Sequence, residues 1–256
     1  MAAGDLTTLA NVKSYLNIIG KPISAITKAN PGQITCTNHG LITGNTVGLS
    51  GINGMTQLNG QTVTVSVVDA NNFTIGVNTS AYGTYTSSGY VFVDDALLSR
   101  LITASSDWIK QYCNRDFVQT NYTELRNGFA NQTKMAFKNY PVTSISSVYI
   151  NDLLVPQSTS HGMVGWIQVG DFLYLRGRTF TTGYGNVSLT YTAGYATIPY
   201  DLEQACIEIT AWRYKEKDRI AQNNKSIQGE NISFNLNMAS ESTKSTLNEY
   251  SRRIPV

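Results

Sequence analysis

Val93-Asp94-Asp95-Ala96-Leu97-Leu98-Ser99-Arg100-Leu101-Ile102-Thr103-Ala104-Ser105-Ser106-Asp107-Trp108-Ile109-Lys110-Gln111-Tyr112-Cys113 is the stretch on which the fold reading turns. Leu97, Leu98, Leu101, Ile102, Trp108, Ile109 and Tyr112 recur at helical spacing, with Arg100, Ser106, Asp107 and Lys110 between them. Asp94 and Asp95 stand where N-cap carboxylates accept the first free amides and meet the positive end of a helix. A one-sided apolar stripe has to be buried against something. Two further segments carry matching stripes, one near the N-terminus and one over Pro199 to Arg213, where Leu202, Ala205, Cys206, Ile209 and Trp212 line up. Three helices therefore form the frame, and the rest of the chain reads as insertions between them.

Thr7 to Ile19 is the first of these helices. It places Leu9, Val12, Leu16 and Ile19 on one side, has Thr7 or Thr8 as its cap and stops at Gly20 and Pro22. Composition then changes abruptly: from Ala29 to Val93 the only charged residue is Asp69. The period changes in the same place. Thr62-Val63-Thr64-Val65-Ser66-Val67 alternates as a strand with one buried face must. Shorter strands are expected at Gln33 to Thr37, Thr46 to Leu49, Phe73 to Gly76 and Tyr90 to Val93. Turns are expected at Asn53-Gly54, Asn59-Gly60 and Asp69 to Asn72. The segment 21–92 thus reads as a small all-β sandwich or barrel inserted into a host domain made of 1–20 and 93–222.

A second β-rich region follows the central helix. Its strands are expected at Thr120 to Leu125, Lys134 to Phe137, Ile145 to Ile150, Trp166 to Val169, Phe172 to Leu175 and Val187 to Tyr191, with a turn at Asn151-Asp152. Beyond Ala221 the chain loosens. The strand-like Ile232-Ser233-Phe234-Asn235-Leu236 precedes a polar helix from about Glu241 to Arg252, and 223–256 reads as an extended C-terminal tail. The fold class is α+β: a helical host domain with an antiparallel β region, interrupted by the β module.

Charge is sparse. At 14% charged residues and net +2, the 256-residue chain has no basic surface of the kind that holds duplex DNA by its phosphates, so DNA contact is expected only in transit. Cys36, Cys113 and Cys206 form no CxxC pair, which argues against a zinc site or a disulfide framework; no metal and no cofactor is expected. Residues 1–20 lack a signal-peptide core, and no apolar run approaches the ~20 residues of a membrane span. The expectation is a soluble protein made inside the cell, without membrane contact.

An active site needs a nucleophile with a base, metal ligands, or paired carboxylates. His39 and His161 lie in glycine-flanked loops and read as turn or loop-surface residues. The cysteines read as small buried hydrophobes. Gly183-Tyr184-Gly185 precedes a strand rather than a helix, so it reads as a hairpin turn and not a phosphate cradle. No catalytic residue is assigned.

Three motifs in this order carry a resemblance: Thr8-Leu9-Ala10-Asn11-Val12-Lys13-Ser14-Tyr15-Leu16 with Asp94 to Ser105 and Trp108-Ile109; Tyr140 to Val148; and Val187 to Tyr195 followed by Ile198 to Ala205. Together with the closing Tyr250-Ser251-Arg252-Arg253, they resemble the head–tail connector (adaptor) proteins of tailed bacteriophages. The insertion, through Asn38 to Val47, Gly54 to Gly60 and Val67 to Thr74, resembles a β module of phage structural proteins. That module is related to the first catalytic-cysteine half-domain of ubiquitin-activating enzymes.

The resemblance implies a non-enzymatic virion protein of the head–tail neck, assembled in the host bacterial cytoplasm. It implies a homo-oligomeric ring, a dodecamer in the family, that sits beneath the portal, joins capsid to tail and leaves a channel for genomic DNA. Its partners would be the portal, a tail or head-closure protein, and the capsid by way of the module. In the tail, Ile232, Phe234 and Leu236 would add a strand to a neighbouring edge, while Tyr250, Arg252, Arg253 and Ile254 would anchor on the portal. A disordered C-terminus is the alternative for that segment. For the whole chain the alternative is a glycan- or receptor-binding module of a virion or surface fibre, with Tyr82, Tyr85 and Tyr90 exposed for sugar stacking.

Overall fold

The computed structural model describes residues 4–217, 224–227, 230–233 and 238–251. In chain order its elements begin with α1 (Leu9–Leu16), β1 (Lys21–Pro22), β2 (Ala25–Ile26), β3 (Gly32–Thr35), β4 (Thr46–Ser50), a 3-10 turn (Thr56–Leu58), β5 (Thr62–Val67), β6 (Asn72–Ile75) and β7 (Tyr90–Phe92). Then follow α2 (Asp95–Cys113), β8 (Thr120–Gly128), β9 (Lys134–Ala136), β10 (Val142–Ile150), β11 (Leu153–Leu154), β12 (Gly165–Val169), β13 (Phe172–Arg176) and β14 (Gly183–Ala193). The chain closes with α3 (Tyr200–Glu216), β15 (Asn224–Ile227), β16 (Glu230–Ser233) and α4 (Glu241–Tyr250). The class is α+β, and the strands within each sheet pair antiparallel. Two compact units divide the chain: residues 7–106 and 206–240 form most of the first, and residues 107–205 with 241–256 most of the second.

In the first unit Thr8 caps α1, its Oγ1 accepting the Asn11 amide at 3.1 Å. The helix stops sooner than Gly20 because Asn17 takes the left-handed conformation (φ 52°) and bonds its amide back to Lys13 and Ser14. Ile19, expected on the apolar side, therefore lies beyond the helix and is 79% exposed. The seven strands β1 to β7 form one sheet in the order β1-β7-β4-β5-β6-β3-β2. Its two edges, β1 and β2, are consecutive in the chain. Between them the Ile23 amide bonds Gly89 and the Ser24 amide bonds Thr35, both at 2.9 Å, so the sheet rolls back on itself like a barrel. β1 and β2 carry too few residues to show a period, and the sequence reading passed over them. Alternation on β5 is as expected: Val63 and Val65 are buried while Thr62, Thr64 and Ser66 are exposed. Ile34, Val47, Leu49, Phe73, Ile75 and Val91 fill the interior.

The helices of this unit share a second core of Val12, Leu98, Ile102 and Ile207, with Leu9, Leu16, Ile18 and Tyr214 packed against it. Ser106, a spacer in the helical pattern, is fully buried, as is Ser105 beside it. Small side chains let two helices approach, and Ser106 Oγ lies 3.5 Å from Cys206 Sγ.

The second unit has a four-stranded sheet, β11-β10-β14-β8, and a three-stranded sheet, β12-β13-β9. Alternate residues of both enclose one core, among them Phe137, Val148, Ile150, Leu173, Leu175, Leu189 and Tyr191. Asn151 and Asp152 turn the chain with positive φ (52° and 60°), as Asn and Asp tolerate. Gly183-Tyr184-Gly185 is not the expected hairpin turn. It opens β14, where Gly183 pairs Gly128 and the register shifts before Val187, and Tyr184 is 96% exposed.

Candidate subunit and partner contact surfaces

α4 is too polar to make a core; among its residues only Thr243 and Leu247 are buried. Side-chain bonds from its own unit hold it instead. The Tyr112 hydroxyl donates to Asn248 Oδ1 at 2.9 Å, and Cys113 Sγ donates to the Leu247 carbonyl at 3.4 Å. The Tyr250 hydroxyl donates to both carboxylate oxygens of Asp201, each at 2.8 Å, in the first turn of α3. Burial, and then the negative Asp201 acceptor, push the Tyr250 phenol above its usual range. The Tyr250 ring meets Phe117 and Tyr195 edge-on, at 6.1 and 6.4 Å between centroids.

Arg115 is the keystone of this cluster and is 8% exposed. Its guanidinium lies 3.8 Å from the centre of the Tyr140 ring and 5.0 Å from that of Phe117, and donates to the main-chain carbonyls of Tyr140 and Tyr250. Sequence reading missed Arg115, because one arginine after a helix carries no periodic signal. Tyr140 and Tyr195 were quoted only as motif residues, and Tyr250 as a motif residue and portal anchor.

Of the tail residues named from sequence, Tyr250 is thus bonded to Asp201 of its own chain, and Ile232 falls in β16. Phe234, Leu236, Arg252, Arg253 and Ile254 lie outside the described residues. Of the helix residues named as core, Leu98, Ile102, Ile109, Leu202, Cys206 and Ile209 are buried, and Leu97, Leu101, Trp108 and Trp212 are half-buried. Trp108 stacks on Tyr112 at 5.2 Å.

In the first unit the carboxylates of Asp94 and Asp95 face side chains rather than the helix amides they were expected to cap. Asp94 accepts from the Tyr214 hydroxyl and from Lys217 at 3.2 Å. Asp95 accepts from Lys13 of α1 on Oδ2 at 3.2 Å, its Oδ1 lies 3.0 Å from the same ammonium, and that ammonium sits 3.0 Å from the centre of the Phe92 ring. Gly48 makes room for this pair, since a Cβ there would stand 2.2 Å from Asp95 Oδ2. These residues line a cleft of about 640 Å³ between α1 and the rolled sheet. Burial raises the Asp95 carboxyl above its usual range, and Lys13 pulls it partly back.

A raised folded-state pKa means that Asp95's own contribution to stability is complete below about pH 4 and shrinks as pH rises through the raised value. The attraction to Lys13, which needs the ionised carboxylate, runs the other way. In a double-mutant cycle, Lys13→Met and Asp95→Asn are expected to couple by about 1 kcal/mol at pH 7. That coupling should fade on acidification at a pH above the usual aspartate range. Additive single-mutant losses at pH 7 would show that the pair contributes nothing.

His39, read as a turn or loop-surface residue, is in its loop but 3% exposed. Its Nδ1 accepts the Leu41 amide at 2.9 Å, so Nε2 donates to the Asp69 carbonyl at 2.8 Å, and the Phe73 ring covers it edge-on. The ring is a structural clip. His161 is exposed. Cys36, Cys113 and Cys206 form no disulfide and are buried. Among the described residues no cluster of acids, histidines and cysteines could hold a metal, and no helix is long and apolar enough to cross a membrane.

A polar cleft of about 500 Å³ in the second unit is lined by Lys110, Arg115, Tyr122, Glu124 and Lys138, with neither histidine nor cysteine. Glu124 there accepts the Tyr191 hydroxyl at 2.5 Å; burial, and then this negative acceptor, raise that phenol above its usual range. Of the tyrosines expected to be exposed for stacking, Tyr82 and Tyr85 instead pack on the sheet core, and the Tyr85 hydroxyl donates to the Ile23 carbonyl at 2.9 Å. Only Tyr90 of the three is exposed.

Comparison with known proteins agrees with the resemblances drawn from sequence. Residues 29–93 match the ubiquitin-activating enzyme E1 FCCH domain. No curated protein matches the chain. Among solved structures it is similar to a chain in the neck of a native gene transfer agent (GTA) particle computed with C12 symmetry. That likeness has 16% identity and a TM-score of 0.42, and covers 63% of this chain and 85% of the other. A chain in the neck of an empty GTA particle computed with C6 symmetry gives 15% identity and a TM-score of 0.43, over 63% of this chain and 80% of that one. A chain in the virion of a native gene transfer agent particle gives the same figures: 15%, 0.43, 63% and 80%. The family model for the head completion protein matches residues 77–253, well over half of the sequence, and the chain belongs to that family.

Proposed function

We propose that this chain is a structural, non-enzymatic protein of the virion neck: a ring-forming adaptor beneath the portal that joins head to tail and leaves a channel for the genome. The family match over 77–253 carries the reading. Its sparse charge, net +2, suits a channel wall that must let DNA pass rather than hold it. Weak contacts repeated around a closed ring become strong, because each later contact forms at high effective concentration.

In this reading residues 1–20 and 93–222 are the host domain and 21–92 an inserted module. The pairing of Lys21 with Val91 supports the insertion, because both ends of the module meet as neighbouring strands, about 5 Å apart. Removing 21–92 and joining Gly20 to Val93 through a short glycine linker is expected to leave ring formation intact, read by solution mass. An unfolded or monomeric product would show that the module is part of the ring instead.

The segment 223–256 is proposed as the portal-docking tail. α4 and Tyr250 would fix its base, and Arg252, Arg253 and Ile254 would reach the partner. Arg252→Ala with Arg253→Ala should abolish co-purification with the portal while the ring and the melting temperature stay unchanged. Undiminished portal binding would remove the tail from the interface.

A further inference from the structure

Two features of the chain are unfinished in the same way. β8 is hydrogen-bonded to β14 on one side and is the outer strand of its sheet. From Thr120 to Leu125 it runs in unbroken register. Exposed sheet edges are usually blunted by proline, lysine, a bulge or a covering element, because free amides and carbonyls template pairing with another chain. Thr120-Asn121-Tyr122-Thr123-Glu124-Leu125 has neither proline nor lysine. Its one charge, Glu124, is offset by Arg126 at 3.6 Å, and Leu125 is 71% exposed.

The second feature is the β15–β16 hairpin. Among the described residues it pairs with itself alone, as a two-stranded sheet. A lone two-stranded hairpin is marginal in water and needs a third strand or a packed face to persist. Its strands, Asn224-Lys225-Ser226-Ile227 and Glu230-Asn231-Ile232-Ser233, carry one positive and one negative charge, so nothing in their charge opposes an edge of the same kind.

We propose that the hairpin Asn224–Ser233 of one subunit adds to the β8 edge of a second copy of this chain, continuing the four-stranded sheet across the subunit boundary. Main-chain bonds supply the affinity, as in other cases where a strand joins an open edge. Hairpin and edge are different surfaces of one chain, so the contact is head-to-tail. Each subunit gives one strand pair and receives one, and the series ends only when the ring closes. The inference rests on the ring reading above and identifies the joint within it.

The test uses the full chain with Thr123→Cys combined with Ser226→Cys in one variant and with Asn231→Cys in another, oxidised mildly after assembly. The three native cysteines are buried, and single-cysteine variants measure their background. The expected result is a ladder of disulfide-linked multimers from at least one double variant and none from the singles. Replacing 224–233 by a Gly-Ser linker is expected to abolish the ring while circular dichroism and the melting transition persist. A ring of unchanged mass with no intersubunit disulfide from either variant, or one that survives the replacement, overturns the joint and leaves the ring reading standing. A disulfide closed within one chain overturns it too, by placing the hairpin on its own edge. Wild-type protein that forms no ring, alone or on the portal, brings down both.

Discussion

Arg115→Ala is expected to cost about 3 kcal/mol and to loosen α4 before anything else unfolds. Two terms make it large. The Tyr140 and Tyr250 carbonyls lose their donor inside a cluster where water has little access, and the rings of Tyr140 and Phe117 lose the cation they enclose. Arg115→Lys should recover little, because one ammonium cannot serve two carbonyls and lie flat on a ring. Hydrogen exchange over residues 241–251 is the direct readout. Protection there should fall far more than in β5 or β6. Unchanged protection would mean that Thr243, Leu247 and the Tyr250–Asp201 bond suffice without the arginine.

The second large effect is expected at Gly54→Ala. Gly54 has φ +82°, and a Cβ on it would stand 2.0 Å from the Thr84 carbonyl oxygen. The obstacle is main chain, which cannot swing away as a side chain would. Asn53 ties the same place down: its amide bonds Ser87 and its carbonyl accepts the Thr86 amide, both at 3.1 Å. Left-handed strain of about 1–2 kcal/mol adds to the overlap, for a loss of about 3 kcal/mol or more. In a chain of this size that corresponds to a fall of roughly 10 °C in the transition of the rolled sheet. Gly60→Ala is the control, since it shares the positive φ but has open space around it. If the two variants melt alike, backbone strain alone decides and the close approach does not matter.

Gly54 also shows what a sequence can and cannot convey. Asn53-Gly54 signals a turn, and a turn is there. That the main chain of Thr84 lies against it is a long-range fact with no local trace. Elements with a sustained period were legible in the same sense: the stripe of α2, the alternation of β5, and the stripe of α3, whose Leu202, Cys206 and Ile209 are buried. β1, β2 and β11 are two residues each and carry no period. Ser106 looked like a solvent position because small polar residues serve equally at a surface and at a close helix contact. Asp94 and Asp95 sit at a helix start, where capping explains them locally; Lys13, Tyr214 and Lys217, which hold them, come from distant segments. Arg115 was invisible for the same reason, since four aromatic residues from four separate segments surround it. The family was legible because it rests on the order of motifs rather than on any one contact.

The central claim is assembly, and the most direct measurement is the mass of the purified full chain in solution, alone and mixed with the portal. A closed ring, or a monomer that becomes a ring on the portal, is the predicted result. A monomer or small oligomer that stays unchanged in the presence of the portal would contradict it.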